Sequence, residues 1–265
     1  MCIRCGRSVD KAPDPLVLVP GIDGTALLFY RQVPLLAKRF QVSAFPLPDQ
    51  SDCTMASLVD ALHEHCCRAV GDQKVTLCGE SFGGALSMSY ALSHPEMLRR
   101  LVIVNSFPVV RQRAGLRMAP LLLKAVPWRV MNFARRFSGK RLHSPHTRPE
   151  DRSEYRKRVR SGGRTGYIRR LEILRRYDIR EQLERIATPT LLLASDRDHV
   201  VPAVSEARYM AARMPRATVK ILEGHGHICL IHHELDLLEE ITSWIDGGEV
   251  EETSAVRRAA GPPSA

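Results

Sequence analysis

The feature that most constrains this 265-residue chain is a regular alternation between short apolar runs and segments with helical spacing. The run Leu16–Val19 is continuously apolar and ends at Pro20-Gly21, which is typical of a strand buried on both faces. Residues 54–70 place apolar side chains three or four apart and predict an amphipathic helix. The alternation predicts a mostly parallel sheet with helices on both faces, whose functional sites lie at the carboxyl ends of the strands.

The remaining predicted elements continue this order along the chain. Strands are predicted at 41–45, 74–78, 101–105, 189–193 and 218–222, and helices at 26–40, directly after Ser81, at 203–214 and at 233–245. Between 107 and 186 the alternation stops and apolar clusters mix with arginine runs, so a helical cap inserted over the sheet edge is predicted there. The predicted core is then 16–106 with 187–246, preceded by a flexible N-terminus at 1–15 and followed by a disordered tail at 247–265.

Composition narrows the class of protein. Hydrophobic content of 44% with 26% charged residues is ordinary for a soluble globular domain, and no apolar run is long enough to cross a membrane. The first 15 residues lack the apolar centre of a secretory signal, so a cytoplasmic location is expected. Seven cysteines, an odd number scattered through predicted strands and helices, favour reduced thiols over a disulfide framework.

One strand end carries a serine inside a tight glycine turn. The segment CGESFGG (78–84) places Ser81 between glycines two residues before and two residues after it. A strand that reverses into a helix within so few residues forces its central residue into a strained conformation, and the flanking glycines let the neighbouring backbone pass. Taken alone, the pattern also fits a serine that merely caps the following helix.

Two later strand ends carry the residue types that activate a serine. The segment SDRDHVVP contains Asp196 and Asp198, and EGHGHICL contains His225 and His227, each directly after an apolar strand. In a parallel sheet these ends face the same edge as Ser81, so a serine, an acid and a histidine can converge there. Their order along the chain is that of the α/β-hydrolases.

From Leu16 to Ile245 the chain resembles the α/β-hydrolase family. Its GESFG resembles the nucleophile elbow of that family, DHVVP resembles the acid loop, and the dipeptide GH at 226–227 resembles the histidine loop. The segment PGIDGT at 20–25 occupies the place of the oxyanion loop. The resemblance implies an α/β-hydrolase fold with a cap.

The resemblance also selects between the paired candidates. Asp198 is expected to be the catalytic acid because it alone has the family's spacing to Pro202, and Asp196 is expected to form hydrogen bonds within its loop. His227 is expected to be the base rather than His225, because it directly precedes an apolar residue in the position that the family's base takes. The implied catalytic triad is Ser81, Asp198 and His227.

The reaction that the resemblance implies is cleavage of a small carboxylic ester or thioester through an acyl-enzyme. His227 is expected to take the proton of Ser81 as the serine attacks the carbonyl carbon, while Asp198 orients the imidazole. The backbone N–H groups of Ile22 and Phe82 are the expected oxyanion hole. No metal or organic cofactor is expected.

Departures from the family pattern keep the subfamily open. Pro20 stands where a histidine is usual, and only 15 residues precede the first predicted strand, so the family's opening antiparallel strands are expected to be missing or reduced. GIDGT with SFGG is similar to a branch that contains thioesterase-like enzymes and acyltransferases of the phytyl ester synthase type. Acyl transfer to an alcohol is therefore an alternative. Another is a non-catalytic binding protein, although its usual sign is a lost triad residue and all three are present.

The net charge of +10 comes from one segment. Residues 111–180 contain 21 Lys and Arg against five Asp and Glu, a surplus of 16, whereas the rest of the chain has a deficit of six. Solvated helix faces are the first interpretation, and a weak contact with anionic membrane lipids or acyl carriers is the second. Nucleic acid is not an expected partner, because no known nucleic-acid module surrounds the basic run at 156–160.

Two pairs of histidines could suggest a metal site. His63 and His65 lie two apart on a predicted helix and point to different faces, and the adjacent His232 and His233 are poorly placed to chelate one ion. All four are expected to be surface residues, and no metal site is predicted.

Overall fold

One sheet of six parallel strands organises the fold of the residues that the computed structural model describes, which are 13–71, 73–110, 142–158 and 163–248. The strands are β1 Asp14–Val19, β2 Phe40–Ala44, β3 Val75–Glu80, β4 Leu98–Val104, β5 Thr190–Ser195 and β6 Ala217–Leu222. Their order across the sheet is β2-β1-β3-β4-β5-β6. All six carboxyl ends therefore meet at one edge, as the alternation in the sequence predicts.

Helices cover both faces of this sheet. In the described ranges the α-helices are α1 Val33–Leu36, α2 Met55–Val70, α3 Phe82–Ser93, α4 Pro149–Arg158, α5 Arg164–Leu174, α6 Ala203–Ala211 and α7 Leu237–Asp246. Short 3-10 helices lie at Leu27–Arg31, Pro95–Met97 and Arg180–Arg185. Helices α2, α3 and α6 pack on one face, and α1 and α7 pack on the other.

The two apolar cores explain why β1 is continuously apolar. Val17 and Val19 point into the cluster shared with α2, α3 and α6, whereas Leu16 and Leu18 point into the cluster shared with α1 and α7. All four side chains are fully buried. A strand in the middle of a parallel sheet has no solvent face, so period-two alternation disappears from its sequence. This burial confirms the predicted α/β architecture.

The segment between β4 and β5 reaches the sheet edge. Helices α4 and α5 lie in it. An isolated bridge joins its two ends, Val109 with Asp178, and a second bridge ties it to the core, His143 with Ile228. Residues 111–141 fall outside the described ranges, so the cap with bounds at 107 and 186 stays a prediction. None of the helices that the structure describes is long and apolar enough to cross a membrane.

One predicted helix is wrong in its extent. Instead of a continuous helix at 26–40, the chain forms the 3-10 helix Leu27–Arg31 and the single turn α1. Ala26 has a left-handed φ of 58°, and Pro34 cannot donate the backbone hydrogen bond that a continuous helix needs. The Gln32 side chain, fully buried, instead bonds the backbone of the segment before α7.

The last helix begins later than predicted. Asp236 accepts a hydrogen bond from the backbone N–H of Glu239 at 3.1 Å, so α7 starts at Leu237 rather than at residue 233. The residues before it form a loop in which Ile231, His232 and Leu235 are buried. His232 in that loop is 2% exposed, so its expected place on the surface is wrong. The flexible N-terminus and the disordered tail that the sequence predicts lie mainly outside the described residues.

Candidate active site

Ser81 occupies the turn between β3 and α3. Its φ of 54° and ψ of −116° are strained for a residue with a side chain, and neighbouring strand ends hold that conformation. The Ser81 N–H donates to Val104 O at 2.9 Å, and the hydroxyl of Ser106 donates to Ser81 O at 2.7 Å. The Ser81 side chain makes no capping hydrogen bond to α3, so the simple helix-cap interpretation does not apply.

The start of α3 lies directly against the loop that follows β1. A Cβ on Gly83 would collide with the carbonyl oxygens of Val19 and Pro20, so only glycine permits this approach. Phe82, the first residue of α3, is fully buried at this junction, and Ile22 lies half-buried in the loop. The two residues predicted to supply oxyanion N–H groups therefore belong to adjoining elements at the edge that carries Ser81.

The structure brings the three predicted triad residues together. His227 Nε2 lies 3.1 Å from Ser81 Oγ, and His227 Nδ1 lies 2.7 Å from Asp198 Oδ2. The Asp198 side chain is 1% exposed, and its other oxygen accepts the N–H groups of Val200 and Val201 at 2.8 and 2.9 Å. With Nδ1 donating to the carboxylate, Nε2 is the nitrogen that can accept the serine proton.

The competing acid and histidine have other partners. Asp196 Oδ1 accepts the N–H of Gly224 at 2.7 Å, which ties the acid loop to the histidine loop. His225 Nδ1 lies 3.2 Å from the hydroxyl of Ser144, and burial lowers the pKa of His225. The residues placed beside Ser81 are thus the ones that loop position selects, Asp198 and His227.

Electrostatics at His227 favour its charged form. Burial lowers the pKa of this imidazole, but the hydrogen bond and negative charge of Asp198 outweigh it, and Glu80 adds to them, so the pKa is raised above its ordinary 6.5. A raised pKa makes the imidazole a stronger base toward Ser81. The arrangement can therefore remove a proton from the serine and stabilise the imidazolium that results.

Glu80, the residue before Ser81, was not singled out by the sequence analysis. It is 5% exposed, and burial raises the pKa of its carboxyl to about 7, against the opposing effects of His227 and of the Gly21 N–H that donates to it. A charged residue at the end of an otherwise apolar strand is the signal that could have marked it. Glu80 links the elbow to the loop at 20–25.

Asn105 was also missed, although it directly follows β4 as a lone amide after an apolar run. It has a φ of 47°, and its Nδ2 donates to Ser195 Oγ at 2.9 Å and to His227 O at 3.0 Å. Its Oδ1 accepts the Ser195 N–H at 2.8 Å. One amide therefore joins the ends of β4 and β5 to the histidine loop.

Two residues between β4 and β5 support the site from outside the core. The Ser144 hydroxyl accepts the N–H of Gly226 at 3.1 Å, beside His227. Arg170 on α5 donates to the carbonyl of Ile22 at 2.9 Å. No pattern in the sequence marks either residue, because each is one polar residue in a segment rich in them.

A cavity of about 550 Å³ lies away from this cluster, between the start of α2 and the end of α5. It is lined by Thr54, Met55, Ser89, Arg169, Glu172, Ile173, Arg175, Arg176, Tyr177, Asp178 and Ile179. None of the three clustered residues lines it, so it is separate from the site at Ser81. Across the described ranges, no three His, Cys, Asp or Glu side chains are grouped closely enough to hold a metal ion.

Comparison with known proteins assigns the fold to a family. The sequence pattern described as alpha/beta hydrolase fold matches residues 14–234, which is most of the chain. The chain therefore belongs to the α/β-hydrolase fold family. The proposed sub-branch with thioesterase-like enzymes and phytyl ester synthases stays a prediction.

Individual bacterial hydrolases are similar to this chain at low sequence identity. A protein of Serratia proteamaculans named carbamate hydrolase RutD is 26% identical, over 84% of this chain and 86% of its own. A poly(3-hydroxyalkanoate) depolymerase of Ectopseudomonas oleovorans is 27% identical, over 82% of this chain and 79% of its own. Together with the family membership, these relatives support a hydrolase as the class of enzyme.

A solved structure agrees with this fold. A thermophilic esterase from Thermogutta terrifontis superposes with a TM-score of 0.76 at 19% identity, covering 89% of this chain and 90% of its own. At that identity the likeness concerns the fold alone.

Proposed function

We propose that this chain is a serine hydrolase that cleaves a carboxylic ester or thioester through an acyl-enzyme on Ser81. The observation that carries the proposal is the continuous contact from Ser81 Oγ to His227 Nε2 and from His227 Nδ1 to Asp198. A serine hydroxyl is a weak nucleophile unless a base takes its proton, and this contact supplies the base together with the group that orients it.

The first half of the reaction forms the acyl-enzyme. Ser81 Oγ attacks the carbonyl carbon while its proton passes to His227 Nε2, and the negative charge of Asp198 stabilises the imidazolium. The tetrahedral intermediate then collapses, and the departing alcohol or thiol takes the proton from His227. Because Asp198 also accepts two backbone N–H groups, its carboxylate is held in one orientation throughout.

The developing oxyanion is assigned to the backbone N–H groups of Ile22 and Phe82. Phe82 is the first residue of α3, and the first N–H groups of a helix have no partner within the helix. Ile22 lies in the loop against which α3 begins. Each such donor contributes about 3 to 4 kcal/mol to the transition state in measured enzymes.

Water completes the cycle. His227 takes a proton from water, the resulting hydroxide attacks the acyl carbon, and Ser81 leaves with the proton returned to its oxygen. If an alcohol replaces the water, the same acyl-enzyme yields a new ester, which is the acyltransferase alternative. None of these steps needs a metal or an organic cofactor.

A carbamate is the second candidate substrate. Relatives of this chain carry the name carbamate hydrolase, and a carbamate presents the same carbonyl carbon to Ser81 as an ester does. Its nitrogen donates electron density to that carbon, so attack is slower and depends more on the oxyanion donors. Rates on an ester and a thioester with the same acyl group, and on a carbamate whose carbamoyl group is of similar size, would rank the three classes when the leaving groups are comparable.

The decisive experiment is labelling with a fluorophosphonate probe, which reacts with an activated serine. The wild-type protein is expected to gain one probe mass, and peptide mapping is expected to place it on Ser81. The matched control is His225→Gln, which leaves the contact between Ser81 and His227 intact and should label at a rate close to wild type. No labelling, or a label on another residue, would favour the non-catalytic binding protein.

The basic segment is proposed only as a weak docking surface for anionic acyl carriers or lipid headgroups. Helix α4 ends in Arg156, Lys157 and Arg158. Glu154 pairs with Lys157 at 3.4 Å and with Arg158 at 2.7 Å, so part of this charge is already compensated. Part of the charge of α4 is therefore paired within its own helix and is less available to an anionic partner.

A further inference from the structure

Arg170 is a buried arginine whose partners all lie in loops outside its own helix. It is 2% exposed, and its Nε donates to Ile22 O at 2.9 Å while its Nη groups donate to Pro48 O at 3.1 Å and to Asp23 O at 3.4 Å. Burying a guanidinium is costly unless its N–H groups are bonded. Three backbone carbonyls meet that need here.

The loop at 20–25 is shaped to receive this guanidinium. Gly24 has a φ of +79°, and a Cβ on it would lie 2.8 Å from Arg170 Nη2. Any other residue at 24 would be strained and would also push against the arginine. The Gly24 N–H closes a turn onto Gly21 O at 3.0 Å, so the carbonyls of Ile22 and Asp23 project from a tight turn.

The same loop is held on its other side by the elbow strand. The Gly21 N–H donates to the Glu80 carboxyl, whose position a Cβ on Gly21 would occupy. Glu80 directly precedes Ser81, and Arg170 comes from the segment between β4 and β5. The backbone before Ile22, at Gly21, and the backbone after it, at Ile22 O and Asp23 O, are therefore held by contacts from two different parts of the fold.

We propose that Arg170 is a positioning residue that sets the oxyanion loop, so that the Ile22 N–H points toward the oxyanion formed on attack by Ser81. The proposal rests on the proposed function. The Ile22 N–H belongs to the planar peptide unit whose oxygen, Gly21 O, accepts the Gly24 N–H. Arg170 holds the carbonyls of the next two units, Ile22 O and Asp23 O, and so restricts the rotation of the backbone that follows that N–H. Arg170 itself does not touch the substrate carbonyl in this role.

The test compares Arg170→Met and Arg170→Lys with wild type on one p-nitrophenyl ester. Methionine removes all the donors at similar length, and lysine keeps the charge without the fork of the guanidinium. We expect kcat to fall about 10- to 100-fold in Arg170→Met and less in Arg170→Lys, with KM within about 3-fold, because an oxyanion donor acts in the transition state. Affinity for a trifluoromethyl ketone, whose serine adduct bears an oxyanion, should fall in parallel with kcat.

Arg169→Met is the matched control. Arg169 lies on the same helix and bonds Cys53 O and Glu172, not the loop at 20–25. The variant Arg169→Met should have a kcat and a ketone affinity within about 3-fold of wild type. If Arg170→Met matches this control, or if kcat falls while the ketone affinity does not, the proposal is overturned.

Two further readouts separate this proposal from the proposed function. If Arg170→Met does not fold, Arg170→Lys decides, and a wild-type kcat and ketone affinity in that variant would overturn the positioning role. Failure of the proposed function shows instead in the wild-type protein, as absence of fluorophosphonate label on Ser81. If wild-type Ser81 is labelled and Arg170→Lys keeps the wild-type kcat and ketone affinity, only the positioning role of Arg170 is overturned.

Discussion

The elbow at Ser81 and the loop at 20–25 adjoin each other but are held by different kinds of contact. The elbow is fixed by the ends of core strands, through Val104 O, Ser106 and the close approach of Gly83. The loop is held by the backbone N–H of Leu47, which donates to Gly24 O at 2.8 Å, and beside Ile22 by two side chains from other elements, Arg170 and Glu80. Removing one contact leaves the elbow with others, whereas each side-chain contact beside Ile22 depends on a single residue.

This difference separates two functions that the site must combine. The proposed nucleophile, acid and base follow β3, β5 and β6, whose carboxyl ends lie at one edge of the parallel sheet. The proposed oxyanion loop depends in addition on α5, which lies in that intervening segment. Changes there can alter stabilisation of the oxyanion while the serine keeps its base.

The largest expected effect comes from Ser81→Ala. Ester hydrolysis should fall by about 10⁴- to 10⁶-fold, because only the attacking oxygen is removed. Alanine keeps the Cβ at the strained turn, so the midpoint of thermal unfolding should change little. The measurement is kcat on a p-nitrophenyl ester beside a thermal melt. Equal rates for the two proteins would place the nucleophile elsewhere.

The next largest effects are expected at the two strand ends that each carry two candidates, Asp196 and Asp198 after β5, and His225 and His227 after β6. Asp198→Asn and His227→Gln should each lower kcat by at least about 10³-fold, because the base loses its orientation or disappears. Asp196→Asn and His225→Gln should cost less than about 10-fold, the scale of one lost hydrogen bond. Steady-state kinetics on the four variants check this. A larger loss in His225→Gln than in His227→Gln would reverse the choice of base.

The pH dependence of stability in Glu80→Gln tests how Glu80 is buried between the elbow at Ser81 and the loop at 20–25. Burial raises the pKa of Glu80 from about 4.5 to about 7, so its neutral form is favoured by folding. Its contribution to stability is then fully present below pH 4.5 and is lost as pH rises through 7. Glu80→Gln should therefore gain stability relative to wild type between pH 5 and pH 8, by up to about 3 kcal/mol. Urea unfolding at both pH values measures the difference.

The rate profile of the same variant provides an internal control. His227 must be neutral to act as a base, so the rate rises with pH through its raised pKa. The charge of Glu80 contributes to raising it, so Glu80→Gln should shift this acid limb to lower pH. A shift to higher pH, or a stability gap that narrows from pH 5 to pH 8, would contradict the assigned environment of Glu80.

The smallest expected effect concerns the basic segment. Changing Arg156, Lys157, Arg158 and Arg160 to Gln should lower kcat/KM for an acyl-CoA by a few-fold at low salt and leave a neutral short ester unchanged. Exposed charges are screened within about 10 Å at 0.1 M salt, so the difference should vanish as salt rises. The control changes Lys38 and Arg208, exposed basic residues outside the segment. An identical salt response in all three proteins would leave only a solvated surface.

Much of the fold could be predicted because the spacing of apolar residues within each segment follows which of its faces are buried. A strand such as β5, buried on both faces, is a continuous apolar run, and α2 shows one apolar stripe. The predicted helix at 26–40 was wrong for one local reason, Pro34, and for one that is not local, the partners of Gln32. The side chain of Gln32 forms hydrogen bonds with residues about 200 positions later in the chain, and a prediction from the local sequence cannot include them.

The sequence by itself determined the sheet, the strand ends that meet, and the two short segments from which the acid and histidine beside Ser81 come. Only the tertiary structure decided what supports them. Glu80, Asn105 and Arg170 are ordinary polar residues in the chain, and they matter because folding buries each against a backbone group of a distant loop. Local patterns report which face of a segment is apolar, whereas the partner of a buried polar group is set by packing between segments.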